Sequence, residues 1–451
     1  MMLEDKLSLY AEVSPNKIAL QCEGNSYNYA TLYKAVCNKK KTLGDIEGML
    51  MPIVAFPSFD FIVSYFAIHL AGAVAVPLGK DISDFARNQY VNTFMGKKAP
   101  LGIADILLTT GTTGNSKAVM VSHEAIMANA ENLVDSQLFN SELTYIVNGP
   151  LNHLGSLSKI YPVLYVGGTI RLIDGLKDIN VLFQAIDEAP SKVATFLVPD
   201  SIRMLLSFAK SKLSEYASKI DFIETGAAPM SQEDMLQLCH VLPQSRLYNT
   251  YASTETGIVS TYNFNNGNCL AGCLGLPMKH SSFFITEDGL IGCKGKTLMS
   301  GYWNDMKATD LIMQSGTIIT ADLGYIDEQG RLRLQGRNDD IINIGGYKIA
   351  PTEIENVALS FPGINDCVCI AAIHPIINRV LKLLVVPGKN YNRKELVSFL
   401  KSKLEAHKIP ILYEEIRKVR RTFNGKIDRK SYRIADQNGS LIFMNETVLV
   451  V

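Results

Sequence analysis

Residues 107–126 read LLTTGTTGNSKAVMVSHEAI, and this run says more about fold and chemistry than any other in the chain. An apolar, strand-like start leads into two glycines, four threonines, a serine and a lysine, and then into a segment of helical period. That order predicts a strand, a phosphate-gripping loop and a helix. Small residues let backbone N–H groups approach phosphate oxygens, hydroxyls add donors, and the lysine supplies charge. The candidate phosphate contacts are therefore Thr109, Thr110, Gly111, Thr112, Thr113, Gly114 and Lys117. The Walker A pattern GxxxxGK[ST] does not fit. Five residues after Gly111 stands Ser116, and Ala118 follows the lysine.

On either side of this run, apolar β-branched segments alternate with segments of helical period. ADILLTT (104–110), TYIVNGP (144–150), GTIRLID (168–174) and KVATFLVP (192–199) read as buried parallel strands, and HEAIMANAENLVDSQL (123–138) reads as a crossover helix. From about Glu287 the texture changes to short strands with turn signals. LGYIDEQGRLRLQGR reads as a hairpin about Glu328-Gln329-Gly330. After Arg337 come a strand-like IINIGGYKI, a helix PTEIENVALSF with proline at its first position, strands CVCIAAI and KLLVVP, and a helix RKELVSFLKSKL. The fold class is α/β: a large multi-sheet N-terminal domain with parallel strands and crossover helices, residues 1–338, and a small mobile α+β domain, 339–451.

A chain of 451 residues is too long for one compact core, which agrees with two domains. The 44 basic and 44 acidic residues cancel, so nothing global points to nucleic acid or an anionic membrane. From Arg337 onward, however, 18 Lys and Arg face 12 Asp and Glu, which suits a face turned to a polyphosphate. The eight cysteines lack zinc-ligand spacing and read as free thiols in a reducing, cytoplasmic setting. The first 15 residues lack the basic start and apolar run of a signal peptide. The apolar stretch Phe61–Leu78 is broken by Ser64, His69, Gly72 and Pro77, and reads as a buried helix and a strand, not a membrane span.

Three further segments carry chemistry. In LYNTYASTETG (247–257), Thr254 and Glu255 follow a strand, where ligands of open α/β sheets collect; Glu255 is a candidate carboxylate for nucleotide-bound Mg²⁺. ETGAAPMS (224–231) is a turn of small residues, Gly226, Ala227, Ala228 and Pro229, able to admit a flat adenine ring. TADLGYID (320–327) places Asp322 where a carboxylate can take two ribose hydroxyls. RTFNGKIDRK (421–430) holds Lys426 behind an Asn-Gly turn, which by itself is an ordinary solvated lysine.

TTGTTGNSK, PLNH, GAAP, YASTE, TADLGYID, GRNDDIINIGGYKIAPTEIE and NGKIDR, in that order, resemble the motif series of the adenylate-forming superfamily, which includes acyl-CoA synthetases, peptide-synthetase adenylation domains and beetle luciferases. The resemblance covers nearly the whole chain and implies roles for individual residues. Thr109 to Lys117 would grip the ATP β/γ-phosphates, Thr254 the α-phosphate and Glu255 the Mg²⁺. Gly226 to Pro229 and Tyr251 would flank adenine, and Asp322 and Arg337 would hold ribose. Lys426 would bridge the acyl carboxylate and the α-phosphate. Asp339 would be the hinge of a domain rotation, after which Gly346 would line a pantetheine tunnel. His153, in PLNH, stands where amino-acid-activating relatives carry Asp, which implies an acyl-pocket wall or gate. The resemblance thus implies an AMP-forming acyl- or aryl-CoA synthetase using ATP, Mg²⁺ and coenzyme A. The alternatives are a stand-alone ligase that loads the phosphopantetheine of a separate acyl carrier protein, and a nucleotide-binding protein without ligase activity. Departures are TAD for the usual TGD, Lys348 where many relatives carry Arg, only 28 residues between Leu78 and Leu107, and a final 21 residues that read as an added hairpin.

Overall fold

The computed structural model describes residues 2–110, 116–266, 268–344, 347–374, 378–422, 426–429 and 431–432, and their side chains except those of Thr110, Ser116, Lys348 and Asn378. The large N-terminal domain is built on two sheets. At the centre of the larger one run six parallel strands, in the spatial order Arg246–Ser253, Ile220–Gly226, Val193–Phe196, Thr144–Val147, Thr169–Leu172, Ile18–Cys22. Helices such as Ile179–Glu188 and Pro199–Phe208 connect them and bury Leu182, Phe183, Ile202 and Leu205 against the sheet. Beyond Arg246–Ser253 the sheet turns antiparallel through Gly257–Asn263 and Cys273–Pro277 to the hairpin Thr317–Ile326/Leu332–Arg337, as expected around Gly330.

The second sheet has five strands in the order Gly301–Tyr302, Ser116–Ser122, Ile103–Thr110, Val74–Leu78, Leu50–Val54. Two expectations are corrected here. ADILLTT does not join the central parallel set; it belongs to this second sheet, parallel to Val74–Leu78 and antiparallel to Ser116–Ser122. Moreover, the phosphate loop does not lead straight into a helix. After it comes the strand Ser116–Ser122, antiparallel to Ile103–Thr110 with Thr109 paired to Lys117, and the helix His123–Gln137 starts only after that return strand. The helical period begins where Ser122 caps the helix by accepting a hydrogen bond from Ala125 N, at 3.0 Å. KAVMV is a β-branched run with a strand's own propensity, which the motif's loop chemistry overshadowed.

The smaller C-terminal domain has its own core. The hairpin Ile342–Ile344/Tyr347–Ile349, the helices Pro351–Leu359 and Arg393–Lys403, and the sheet Ile364–His374, Asn378–Pro387, Leu412–Glu415 bury Ile354, Cys367, Leu383, Leu396 and Leu400 together. The expected terminal hairpin falls almost wholly in 433–451, outside the described residues. Among the described residues no helix is long and apolar enough to cross a membrane. Phe59–Leu70 is a buried 12-residue helix, as its composition predicted.

Beneath the phosphate hairpin lies a buried charge network that the sequence did not announce. His69 is held on both ring nitrogens, by Glu4 Oε1 at 2.7 Å and by Asp105 Oδ1 at 3.1 Å, and the Tyr65 hydroxyl donates to Asp105 Oδ2 at 2.9 Å. Glu4, His69 and His123 offer metal-ligand atoms within 4.8 Å of one another. With both nitrogens of His69 committed to carboxylates, no lone pair is left for a cation, so the trio reads as a charge buttress. Burial alone would push the His69 pKa down; the hydrogen bonds and charges of Asp105 and Glu4 outweigh it and raise the pKa to about 10. The imidazolium thus neutralises a carboxylate at the root of the strand Ile103–Thr110. His69→Leu would strand two buried carboxylates without their cation and is expected to cost ~3–5 kcal/mol in urea unfolding. The folded chain holds this proton more tightly than the unfolded one. Its stabilisation is therefore complete below the ordinary 6.5 and lost as pH rises through about 10. Wild-type stability should fall over that window by up to ~1.4 kcal/mol per pH unit, a slope absent from His69→Leu.

Candidate active site

One short segment joins the carboxyl end of the central strand Arg246–Ser253 to the strand Ser116–Ser122 of the second sheet. Glu255 sits on the tight turn between Arg246–Ser253 and Gly257–Asn263, closed by Ser253 and Thr256, whose hydroxyls lie 2.9 Å apart. Gly257 follows at φ +65°, where a Cβ would stand 2.5 Å from Thr297 O and 2.9 Å from Asn129 Oδ1, so no other residue fits. The segment 299–303 then crosses between sheets. Met299 N donates to Glu255 O, Ser300 N to Met120 O and Trp303 N to Ala118 O, each at 2.8 Å. Gly301 makes the crossing at φ +126°, with Thr309 and Met120 packed against it.

This crossing delivers Tyr302 to the middle of the site. Its hydroxyl donates to Glu255 Oε1 at 3.0 Å, and Lys117 Nζ lies 4.6 Å from its ring centroid. Burial first, and Glu255 next, push the Tyr302 pKa up, so the phenol stays a donor at neutral pH. Sequence reading missed this residue. The signal was there in SGYW, a glycine before two aromatics, but nothing local says that it pairs with residue 119.

A second group forms around Asp322. Tyr251 donates to Asp322 Oδ2 at 2.7 Å, and Arg337, opposite Asp322 in the hairpin, places Nη1 3.7 Å from Oδ1. Gly226 ends the neighbouring parallel strand, and Ala227 follows at φ +65°, a left-handed conformation that costs a non-glycine residue ~1–2 kcal/mol. Ala227 and Pro229 are exposed and Ala228 half-buried, so the turn presents backbone and small side chains to the cleft. Directly below, Glu224 is fully buried against Lys159 Nζ at 2.8 Å, with the lysine over the Phe196 ring. This ion pair also went unread in the sequence.

Lys426 comes to the same place from the smaller domain. Its side chain has an exposed surface, yet protein crowds it enough that desolvation first, and Arg337 second, lower its pKa, while Asp322 and Glu255 raise it. Arg337, Asp322 and Glu255 are thus all close enough for their charges to act on its ammonium. Lys117, Lys426 and Arg337 opposed to Glu255 and Asp322 form a charge set suited to a polyphosphate, a divalent cation and a ribose together.

The remaining predicted residues distribute as follows. Thr254 is half-buried on the Glu255 turn. His153 lies at the cap of the short helix Leu154–Leu157, with Nε2 3.5 Å from Asn152 Nδ2, and burial pushes its pKa down, which favours neutral imidazole. It follows the strand Thr144–Val147, at the same edge of the sheet. Asp339 lies in the single helical turn Asn338–Asp340, its carboxylate 3.5 Å from Arg337 Nη2. Thr109 pairs with Lys117 in the hairpin, and Thr110 ends its strand. Gly111, Thr112, Thr113, Gly114 and Gly346 lie outside the described residues.

Two family models match the chain, that of the AMP-binding enzymes over residues 95–303 and that of their C-terminal domain over 353–426. A Staphylococcus epidermidis protein with the provisional name long chain fatty acid-CoA ligase VraA is 25% identical, over 96% of this chain and 98% of its own. The 2-succinylbenzoate–CoA ligase of the same species is 28% identical over 74% of this chain and 70% of its own. The crystal structure of ATP-bound MatB from Rhodopseudomonas palustris superposes with a TM-score of 0.85, at 21% identity, covering 98% of this chain and 100% of that one, which establishes the fold. The chain belongs to the adenylate-forming, AMP-binding enzymes. It is an AMP-forming acid–thiol ligase.

Tyr302→Phe keeps the ring under Lys117 and removes one hydrogen bond to the Glu255 carboxylate. Such a bond to a charged group contributes ~1.5–3 kcal/mol, so acid-dependent ATP–pyrophosphate exchange should fall by roughly ten- to a hundredfold. Tyr302→Ala, which also removes the surface beneath Lys117, should fall further. Equal exchange in wild type and Tyr302→Phe would show that the hydroxyl does not orient Glu255.

Proposed function

We propose that this enzyme converts a carboxylic acid and ATP to an acyl-adenylate and pyrophosphate, and then passes the acyl group to the thiol of coenzyme A. The observation that carries the reading is the convergence of Lys426, from the smaller domain, on the cleft that holds Glu255, Asp322 and Arg337. Attack of a carboxylate on the α-phosphate brings two anions together, and a cation poised there lowers the barrier. Lys426 supplies it, with Thr254 beside the α-phosphate. The segment Thr109 to Lys117 holds the β/γ-phosphates, with Lys117 steadied by the Tyr302 ring. Gly226 to Pro229 and Tyr251 border the adenine, and Asp322 with Arg337 takes the ribose.

The donor set also fits Mg²⁺, since one oriented carboxylate on Glu255 suffices for a cation otherwise ligated by phosphate and water. Bound there, Mg²⁺ would neutralise phosphate charge. His153 forms a wall of the acyl site, and its neutral ring suits contact with an uncharged acyl group. Thioester formation requires Lys426 to leave. We take Asp339, in a short helical turn, as the hinge between the two domains, and Gly346 as lining the path of the pantetheine afterwards. Coenzyme A as acceptor draws support from the names of the relatives, both coenzyme A ligases. Competition between coenzyme A and a holo-acyl carrier protein tests it directly. Exchange measured over short, long, aromatic and amino acids identifies the acid.

Lys426→Ala should lower acyl-adenylate formation by at least ~10²-fold, as expected for the loss of one charge-stabilising donor, and still transfer a supplied acyl-adenylate to coenzyme A. Equal losses in both half-reactions of a folded variant would overturn the role. Glu255→Gln should impair adenylation and weaken its Mg²⁺ dependence; an unchanged Mg²⁺ titration would remove Glu255 from the metal site.

A further inference from the structure

We propose that Arg421 and Asp200 form the latch that holds the Lys426 arm against the large domain for adenylation. The inference rests on the acyl-adenylate reading above and adds two positioning residues to which the sequence motifs assign no role.

Arg421 bridges the two domains. Its Nε lies 3.2 Å from Asp200 Oδ2 at the start of the large-domain helix Pro199–Phe208, and its Nη2 lies 2.9 and 2.8 Å from the two carboxylate oxygens of Asp366 in the small-domain strand Ile364–His374. Asp200 is in turn 3.5 Å from Arg203, which holds Asp234 at 2.9 Å. The result is an alternating row, Asp234, Arg203, Asp200, Arg421, Asp366, that crosses the interface at one residue. Every member is at least two-thirds shielded from solvent, so salt screens the row less than a surface pair.

The geometry links this row to the chemistry. Arg421 and Lys426 stand on the two arms of one tight hairpin: Arg421 bridges to Ile427, and Thr422 N donates to Lys426 O at 2.7 Å. Fixing Arg421 therefore fixes the arm that carries Lys426 into the cleft. Asp366 keeps the guanidinium oriented within the small domain, and Asp200 is the cross-domain half of the grip. The helix bearing Asp200 follows the strand Val193–Phe196, on the same edge of the sheet as the cleft, so latch and site share a rigid frame.

Asp200→Asn is the clean variant, because it leaves the Arg421–Asp366 pair of the small domain intact. Acid-dependent ATP–pyrophosphate exchange should fall about tenfold, whereas thioester formation from a supplied acyl-adenylate and coenzyme A should be unchanged or faster, since the latch is released for that step. Arg421→Met should show the same split, and the double variant should be no worse than Arg421→Met alone. Exchange in Asp200→Asn equal to wild type, or equal losses in both half-reactions, overturns the latch. A wild-type protein with no exchange for any acid in the panel overturns instead the acyl-adenylate reading on which it rests.

Discussion

The site depends on the crossing of residues 299–303 between two sheets that do not otherwise share strand pairing. Three backbone hydrogen bonds tie that segment to the Glu255 turn on one side and to the lysine-bearing strand on the other. Such bonds are short, directional and made between groups that cannot be left buried and unpaired, so they set a distance instead of merely favouring one. A carboxylate from one sheet and an ammonium from another are thereby held about a single phenol. Gly257 and Gly301 belong to this constraint, since a side chain would collide with Thr297 and Asn129 at the first and crowd Thr309 at the second.

Around this junction the protein buries charge in paired form. His69 sits between two carboxylates below the phosphate hairpin, and Lys159 meets Glu224 below the Ala227 turn. Ion pairs so deep add little net stability over apolar packing, but they tolerate only one arrangement, because a misplaced partner leaves a bare charge. Both pairs lie under segments proposed to bind the nucleotide. They brace the strand Ile103–Thr110 and the strand that leads into the Ala227 turn, and the strained φ of Ala227 persists on such a base.

The smaller domain contributes differently. Its core is complete in itself, and a row of charged groups that includes Arg421 reaches across to the large domain. An interface of charged groups can be made and broken at small cost, as an enzyme with two half-reactions requires, whereas an apolar interface would hold one state. The lowered pKa of Lys426 belongs to the same economy: crowded by protein and by Arg337, the ammonium gains from an anion arriving in the cleft.

How much of this was legible beforehand follows from the range of the forces involved. Period and composition are local, so the central strands, the helix His123–Gln137, the Gly330 hairpin and the small domain's elements could be read from the chain. Glu255, Asp322 and Lys117 could be named because each lies in a short run whose residue types suit phosphate, a metal ion or ribose, whereas Lys426 could be named only through the family resemblance. What no local reading reached are contacts between residues far apart in sequence. Ser116–Ser122 became a strand because Gly301–Tyr302 and Ile103–Thr110 pair with it on either side. Tyr302 gained its role from Glu255, 47 residues away, and Arg421 from Asp200 in the other domain. The sequence by itself determined which chemical groups the enzyme carries and on which elements. Only the tertiary structure decided which of them meet, because pairing across sheets and domains is set by packing and charge over distances that periodicity does not encode.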